Sequence, residues 1–430
     1  METWRESVAA NQLVLSVPRT AFYTQRPQSG NPHVPSPISP LQISAYTATT
    51  ACGRGKAALL NNLENERSGL RANDFSLHPL ETWIGRVDGL ESVAVPERLS
   101  RWDCRNNRLA WMGLHGDGFI DAVRSARDRY GAGRVALVLG TSTSSIGASE
   151  QAYRELDSDG RFPEYLRSSI MHTPHSLGDF VQRVLDIEGP AVTVATACSS
   201  SAKVFAQAER LLRLGIADAA VVGGVDTLCG SVLFGFNSLA LVSSKPCRPF
   251  DIARNGISIG EAAGFALLER GSGALNLLGY GESSDAHHMS TPHPQGRGAE
   301  RALDDALARA GISGDAIDYI NLHGTATEKN DEVEATLIAR RFGPAVHASS
   351  TKGYTGHTLG AAGTVEAAIS LLALETGVMP GTVNTRALDA RCGPQIRLRS
   401  ARGTVRHALS NSFGFGGNNC VLVFGRGVDA

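Results

Sequence analysis

Cys198 has the local setting of a reactive thiol. It follows the apolar, β-branched run Ala191-Val-Thr-Val and stands among small residues, with three serines directly after it. Apolar residues then recur at helical spacing, so we expect a buried strand, a sharp corner and a helix that packs back behind the corner. Backbone N–H groups and the positive end of the helix dipole would face the sulfur, and both favour thiolate over thiol. Taken alone, a buried core cysteine explains the stretch equally well.

Two further stretches place histidines at the ends of predicted strands. His323 follows the apolar Tyr319-Ile320 and precedes a glycine, at the carboxyl end of a strand, where the sites of α/β proteins collect. In the second stretch a strand ends at Lys352, the glycine-flanked His357 follows, and a helix of small residues begins, which lets another backbone pack closely. Each has an ordinary alternative: a lone strand-end histidine is more often a structural hydrogen-bonding group, and Lys352 a surface residue.

Hydroxyls and glycines complete the set. Thr325 and Thr327 lie two residues apart and point the same way if their loop is extended. Residues 411–419 read Asn-Ser-Phe-Gly-Phe-Gly-Gly-Asn-Asn, which predicts a hairpin before the last strand. No helix is predicted after these glycines, so they are not a dinucleotide-binding fingerprint.

Together these groups suit carbon–carbon bond formation by Claisen condensation. A cysteine accepts an acyl group as a thioester. The glycine-rich loop and the N–H of the nucleophile form an oxyanion hole, and two imidazole N–H donors hold the oxygen of a second thioester while an enolate develops.

Composition bounds the remaining possibilities. The chain has 430 residues and a formal net charge of −1, which argues against a general affinity for nucleic acid or an anionic membrane. Its seven cysteines form no CxxC pair, which fits a reducing cytosol better than a disulfide framework or a zinc site. His287, His288 and His293 lie close together in the sequence, but no cysteine or carboxylate stands near them at the spacing typical of zinc ligands. We therefore expect no metal site. No transmembrane run or signal peptide is found, and we expect a cytoplasmic protein.

The chain divides into an arm and two similar runs. Residues 1–40 are rich in proline, and we expect a flexible, extended N-terminal extension. Strands then alternate with helices, which predicts an α/β architecture. The two runs, residues 41–273 and 274–430, have a similar order of strands and helices, which indicates a structural duplication.

The motifs resemble those of the elongating β-ketoacyl-acyl-carrier-protein synthases. The resemblance rests on Thr196-Ala-Cys198-Ser-Ser-Ser, His323-Gly-Thr-Ala-Thr, the stretch Lys352 to Gly363, and Asn411 to Asn419. It covers roughly residues 41–426. It implies the thiolase-like fold, a duplicated five-layered α-β-α-β-α arrangement, with the nucleophilic cysteine in the first half and both histidines in the second.

The resemblance also implies roles for single residues. Cys198 would be acylated from acyl carrier protein, and His323 and His357 would serve malonyl decarboxylation and enolate stabilisation. Lys352 would pair with a carboxylate eleven residues beyond the first histidine, which is Glu334. The remaining implied residues are Phe415, the gate whose N–H joins that of Cys198 in the oxyanion hole, and Thr325 and Thr327, which bind the phosphopantetheine arm.

The implied partners are a carrier protein and a second subunit. No separate cofactor is expected, because the substrates are carried on the phosphopantetheine of acyl carrier protein. We expect a dimer, formed with an identical or a related subunit. Four arginines spaced three, four and three apart would share one helix face and dock the acidic carrier, unless they are a solvated basic stripe: Arg98, Arg101, Arg105 and Arg108.

Three alternatives compete with the interpretation as an elongating synthase. A non-catalytic chain-length factor shares the fold but usually lacks the nucleophilic cysteine, and a coenzyme A-dependent thiolase usually has a second cysteine near its C-terminus. Cys420 is near the end but falls inside an apolar strand. A binding or scaffold protein is the third. Asn418 and Ile257 depart from the usual family residues, threonine and phenylalanine, so a specialised polyketide or aryl polyene pathway is weighed beside fatty acid synthesis.

Overall fold

The computed structural model describes residues 35–76 and 78–427. The greater part of the predicted N-terminal arm, residues 1–34, lies outside the described residues. Of the remainder, the Ile38 N–H donates to the Arg309 carbonyl at 2.9 Å, so residues 35–40 run beside the end of a helix of the second half.

Strands and helices alternate along the described chain. The strands are β1 (Leu41–Thr50), β2 (Gly53–Arg54), β3 (Arg71–Ala72), β4 (Trp83–Gly85), β5 (Val135–Gly140), β6 (Ala191–Val194), β7 (Ala219–Asp226), β8 (Ile259–Gly260), β9 (Ala262–Arg270), β10 (Leu275–Ser284), β11 (Tyr319–Asn321), β12 (His347–Ser349), β13 (Val378–Met379), β14 (Ala401–Arg402), β15 (His407–Phe413) and β16 (Asn418–Arg426). The helices are α1 (Gly55–Glu64), α2 (Arg105–Leu114), α3 (Phe119–Tyr130), α4 (Ile146–Arg154), α5 (Ser176–Leu185), α6 (Ser200–Arg213), α7 (Gly230–Ser238), α8 (Arg297–Ala310), α9 (Glu328–Arg341), α10 (Lys352–Thr355) and α11 (Ala362–Thr376).

Two large mixed sheets form the framework. The first has the order β2-β1-β9-β7-β5-β6 and the second the order β10-β16-β15-β11-β12. β5 lies parallel to β6 and β7, whereas β9 runs antiparallel to β7 and β1. In the second sheet β11 is parallel to β12 and β15, and β16 is antiparallel to β15 and β10. The division of the chain between residues 273 and 274 stays a prediction.

The two faces of each sheet pack against different helices. In β5, Ala136 and Val138 face a core that includes α6 and α11, while Leu137 and Leu139 face a core with α2, α3 and α5. Such alternation is expected of a strand covered on both faces. The far side of the second sheet packs on α8 and α9. Within the described residues the layers are therefore helices, sheet, helices, sheet and helices, which confirms the predicted five-layered α/β fold.

One helical stretch of the described residues, Leu359–Thr376, is long and apolar enough to cross a membrane, yet 89% of it is buried inside the protein. It contains α11 and packs in the middle layer with α6. Because the stretch is buried in this way, its high mean hydropathy is that of a helix in the protein core.

The pattern of apolar residues predicts one long helix over residues 98–123 and a strand over residues 396–399, and the structure corrects both. Residues 98–123 do not form one long helix: a 3₁₀ helix covers Glu97–Trp102, and α2 begins only at Arg105. The break arises because Asp103 and Cys104 are extended. The predicted strand at 396–399 is also wrong, since Ile396 makes only an isolated bridge to Ala348.

Candidate active site

Cys198 occupies the predicted corner between β6 and α6. The preceding Ala197 has a left-handed backbone, with φ of 52°, which turns the chain sharply before the helix. The Thr196 N–H donates to the Ser200 hydroxyl at 2.9 Å, and the Ser199 hydroxyl donates to the Thr196 carbonyl at 2.9 Å. These local bonds fix the corner and place Cys198 at the start of α6.

α6 touches α11 at backbone distance. A Cβ atom on Gly363 would lie 2.4 Å from the Ala202 nitrogen, so only glycine allows this approach. The neighbouring Thr364 N–H donates to the Ser201 hydroxyl at 2.9 Å. This contact joins the helix that follows Cys198 to the helix that follows His357.

The structure brings Cys198, His323 and His357 together. His357 Nε2 lies 3.1 Å from Cys198 Sγ, and the two imidazole rings are 5.5 Å apart, centroid to centroid, and nearly perpendicular. Each of the three residues is at most 4% exposed. All three line a cavity of about 490 Å³ whose wall includes the exposed Met289. A small reactant that enters this cavity therefore meets the thiol and both imidazoles.

Burial controls the protonation of the nucleophile. It raises the pKa of Cys198 to about 11, although the charge of Lys352 and the Phe415 N–H that faces the sulfur both lower it. The expected stabilisation of thiolate is thus outweighed by desolvation, and the resting group at neutral pH is a thiol. His357 Nε2 is close enough to accept its proton.

Both histidines are neutral at physiological pH. Burial holds the pKa of His323 and of His357 well below the usual range, and the nearby Lys352 charge lowers both further. Lys352 Nζ lies 3.4 Å from His323 Nδ1 and also donates to the His323 carbonyl. An ammonium beside Nδ1 favours the tautomer that carries its proton on Nε2.

The predicted pairing of Lys352 with Glu334 is wrong. Lys352 instead forms an ion pair with Glu366, a residue of α11 that the sequence reasoning missed. The reason is geometric: Lys352 begins the short helix α10, and its side chain meets the first turns of α11. A signal was present, because Glu366 stands among small and apolar residues in a helix expected to be buried, where a carboxylate needs a partner.

Glu334 serves the His323 loop through hydrogen bonds. Its carboxylate accepts the His323 N–H at 2.8 Å, the Gly324 N–H at 2.7 Å and the Asn411 side-chain amide at 3.0 Å. Burial raises the pKa of Glu334 to about 6 against the effect of these donors. Glu334 therefore fixes the backbone that carries His323 and ties it to β15.

The glycine-rich turn covers the cavity beside the nucleophile. The Gly414 N–H donates to the Asn418 carbonyl at 2.8 Å, which closes the turn between β15 and β16. Within it, the Phe415 N–H faces the Cys198 sulfur, and the Phe415 ring packs on Phe236 at 5.7 Å. The predicted hairpin is confirmed, and Phe415 lies where a gate to Cys198 would lie.

Thr325 and Thr327 line the same cavity. Their hydroxyl oxygens are 2.8 Å apart, so the two side chains point the same way. The loop that carries them is not extended, however, because Ala326 between them has a left-handed backbone with φ of 66°. Both hydroxyls can bind a polar chain that passes along this wall.

The four arginines do not share one helix face. Arg98 and Arg101 lie on the 3₁₀ helix, and Arg105 and Arg108 on α2. Two of them are engaged in ion pairs: Arg105 binds the buried Glu261 at 2.6 Å. Arg108 binds Asp103 at 2.6 Å. The prediction of a continuous basic stripe is therefore wrong. Of the four arginines, Arg98 and Arg101 are exposed at the surface.

The same side chains offer a set of metal ligands. The ligand atoms of Cys198, His323 and His357 lie within 4.8 Å of one another, and cysteine with histidine is a donor set that zinc accepts. The Lys352 ammonium beside His323 opposes a further positive charge there. The expectation of a metal-free site stays a prediction.

Comparisons with known proteins agree with this geometry. Residues 106–274 match the family model of the β-ketoacyl synthase N-terminal domain, and residues 275–386 match that of its C-terminal domain. The chain is similar to Nodulation protein E of Rhizobium meliloti (strain 1021), with 35% identity over 304 residues that cover 68% of this chain and 75% of the relative. It is also similar to 3-oxoacyl-[acyl-carrier-protein] synthase 2 of the same organism, with 40% identity over 260 residues that cover 56% of this chain and 62% of the relative.

A solved structure extends the likeness over nearly the whole described chain. It is the ketosynthase ApeO in complex with its chain length factor ApeC from Xenorhabdus doucetiae. The alignment has a TM-score of 0.84 and 39% identity, and it covers 90% of this chain and 98% of the solved one.

Proposed function

We propose how this chain, which belongs to the β-ketoacyl-acyl-carrier-protein synthases, carries out its reaction. These synthases are condensing enzymes of the acyltransferase class that act in fatty acid or polyketide synthesis. In this chain we assign Cys198 as the nucleophile that accepts the acyl group. The observation that carries the proposal is the 3.1 Å approach of His357 Nε2 to Cys198 Sγ in a cavity that also contains His323. A thiol and two neutral imidazoles in one buried space suit thioester chemistry.

In the first step the acyl group moves from the carrier to Cys198. The sulfur attacks the thioester carbonyl while the thiol proton passes to His357 Nε2, and the carrier thiol leaves after taking a proton back. In the tetrahedral intermediate the oxygen accepts hydrogen bonds from the backbone N–H groups of Cys198 and Phe415. The Phe415 N–H already faces the sulfur in the resting enzyme, which supports this assignment.

In the second step malonyl thioester loses carbon dioxide. The electron pair of the broken bond forms an enolate, which attacks the acyl carbonyl on Cys198. As the new carbon–carbon bond forms, the cysteine sulfur leaves as a thiolate, and a proton from water restores the thiol. Cys198 Sγ carries no proton in the acyl-enzyme, so His357 takes the tautomer with its proton on Nε2, and both imidazoles donate N–H hydrogen bonds to the enolate oxygen. Their low pKa supports this role, because neutral imidazoles stabilise the charge without losing a proton to it.

Lys352 and Glu334 support this step from behind His323. The Lys352 ammonium sets the His323 tautomer so that Nε2–H is the donor, and Glu334 holds the loop backbone. Neither has to touch substrate to act in this way. No separate cofactor takes part in the proposed reaction.

The substrate arrives on a carrier protein. Cys198 is only 4% exposed, so a thioester reaches it on a long arm through the cavity. Phosphopantetheine on acyl carrier protein is such an arm, and the Thr325 and Thr327 hydroxyls on the cavity wall would bind its amides. The name of one relative, 3-oxoacyl-[acyl-carrier-protein] synthase 2 of Rhizobium meliloti, supports this partner.

The second subunit binds at the open edge of the first sheet. β6 is the edge strand there, and its four side chains are only half-buried although the sequence Ala191-Val-Thr-Val is mostly apolar. An exposed edge of this kind pairs readily with another chain. The partner is a second copy or a related subunit, and the similar ketosynthase solved with its chain length factor supports the latter. The native mass of the chain, expressed alone, distinguishes the two.

Mass spectrometry of Cys198 tests the function directly. The enzyme is incubated with a panel of acyl-carrier thioesters and then with malonyl-carrier. We expect an acyl mass on Cys198, its loss during the chase, and a β-ketoacyl-carrier product. Cys198→Ala should gain no acyl mass, while Cys392→Ser, a half-buried cysteine outside the cavity, should behave as wild type. An acyl mass on Cys198→Ala, or a chase without product, would contradict the proposal.

A further inference from the structure

Asp226, at the end of β7, is a fully buried carboxylate that the reaction as described does not use. Its Oδ1 accepts the Thr141 hydroxyl at 2.5 Å, and the Thr143 hydroxyl and N–H at 2.7 and 2.9 Å. Its Oδ2 accepts the Ser142 hydroxyl at 2.7 Å and the Gly360 N–H at 2.6 Å. All of these donors are uncharged. A buried charge held in this way is costly unless every one of its bonds is kept.

The donors come from both halves of the protein. Thr141, Ser142 and Thr143 follow β5, which lies beside β7 in the first sheet. Gly360 belongs to the other half, three residues after His357. Asp226 is therefore bonded at once to the half that carries Cys198 and to the loop that carries His357.

The loop that Asp226 holds is strained. Leu359, between His357 and Gly360, has a left-handed backbone with φ of 55°, and Ser144 on the opposite loop has φ of 43°. Such conformations persist in residues other than glycine only when their surroundings fix them. The Gly360 N–H bond to Asp226 supplies that restraint directly after Leu359, and a Cβ on Gly360 would lie 2.6 Å from the same carboxylate oxygen.

His357 itself is fixed on its other side. Its backbone N–H donates to the Ser258 carbonyl at 2.7 Å, and its backbone carbonyl accepts the Gly260 N–H at 2.9 Å. The backbone of His357 is thus bonded to Ser258 and Gly260, and the loop that follows it is bonded to Asp226. We propose that Asp226 is a positioning residue that holds the His357 loop at its reactive distance from Cys198.

The inference rests on the proposed function, and Asp226→Asn tests it. The side-chain amide is the same size but turns an N–H₂ group toward bound N–H and O–H donors, which leaves some of them unpaired. We expect kcat for condensation to fall about 100-fold, as for a misplacement of roughly 1 Å, with KM for the carrier substrate unchanged. A wild-type kcat in this variant would overturn the proposal, and so would a loss confined to KM.

A second measurement does not depend on turnover. The charged and titratable groups around the Cys198 sulfur are Lys352 on α10, Glu366 on α11, Asp226 on β7, and the two histidines. Removal of the Asp226 charge should shift the pH midpoint of Cys198 alkylation by iodoacetamide downward, which a purely structural defect would not do. An unshifted midpoint would overturn the proposal, whereas failure of wild-type enzyme to condense would overturn the proposed function alone.

Two further variants complete the test. Asp251→Asn is the matched control, because Asp251 is also a buried acceptor of backbone N–H groups but is not among the charged groups that act on the Cys198 sulfur. It should leave the Cys198 alkylation midpoint unchanged, and an equal shift would refute the inference. Thr141→Val deletes one donor with little change in shape and serves if Asp226→Asn does not fold. We expect kcat to fall about tenfold, in line with loss of one bond to a charged group, and an unchanged kcat would count against the role.

Discussion

The Lys352 ammonium and the Glu366 carboxylate form an ion pair inside the protein, where the two side chains are 2% and 4% exposed. Lys352 also donates to the His323 carbonyl. One buried pair thus connects α11 with the backbone of a catalytic candidate.

Glu366→Gln should destabilise the protein strongly. The change leaves the Lys352 charge buried without a counter-charge, and loss of one partner from a buried pair typically costs about 3–5 kcal/mol. Urea unfolding measures the difference. Glu188→Gln, the same change at an exposed position between α5 and β6, should stay within about 0.5 kcal/mol of wild type. Equal effects of the two variants would show that the buried pair contributes nothing special.

The reactivity of Cys198 should rise with pH far beyond the range of an ordinary thiol. Its pKa of about 11 means that the thiolate fraction, and with it the rate of alkylation by iodoacetamide, grows about tenfold per pH unit through pH 9. An unperturbed thiol would level off near its own pKa of about 8.5. Mass-resolved alkylation rates between pH 7 and pH 10 check this, and a plateau below pH 9 would contradict it.

Gly363→Ala should disturb the contact between α6 and α11. The added methyl would lie 2.4 Å from the Ala202 nitrogen, so the helices must separate, and overpacking of this kind typically costs about 1–3 kcal/mol. We also expect slower acylation, because α6 begins beside Cys198. Gly343→Ala, where an added Cβ meets nothing within 4 Å, is the control for stability. Wild-type stability and acylation in Gly363→Ala would disprove the close-packing argument.

Arg101→Glu and Arg105→Glu should have different consequences. Arg105 neutralises the buried Glu261, so its reversal should lower the free energy of unfolding by about 3 kcal/mol or more. Arg101 is exposed and stacks on Trp102 at 4.2 Å. Its reversal should leave stability nearly unchanged and, if Arg101 steers the acidic carrier, weaken carrier-dependent turnover and its salt dependence. Steady-state kinetics at two salt concentrations decide, and unchanged kinetics would remove Arg101 from any docking surface.

The sequence predicts best those features that short stretches of chain determine. The corner at Cys198 follows from an apolar run, small residues and a helical period, all within about twenty residues. His323 is placed by its strand and the glycine after it. The middle layer could also be anticipated, since the small residues around Gly363 indicate close packing.

The errors have two origins, contacts between residues far apart in the sequence and one local interruption of a helix. Lys352 pairs with Glu366 rather than Glu334 because its side chain reaches α11, and spacing along the chain does not encode which helix it reaches. The arginine stripe failed for a local reason: the extended pair Asp103 and Cys104 interrupts the helix. Asp226 carried no motif, and its environment exists only after three separate segments meet.

The chemistry is shared across the seam between the two sheets, with the sulfur on one side and both imidazoles on the other. A chain cut in the turn between β9 and β10 would yield two fragments, neither of which contains the complete active site. Recombination between relatives at that turn would therefore succeed only where α6 from one parent packs well against α11 from the other, so we expect these two helices to evolve as a unit although they are far apart in the sequence.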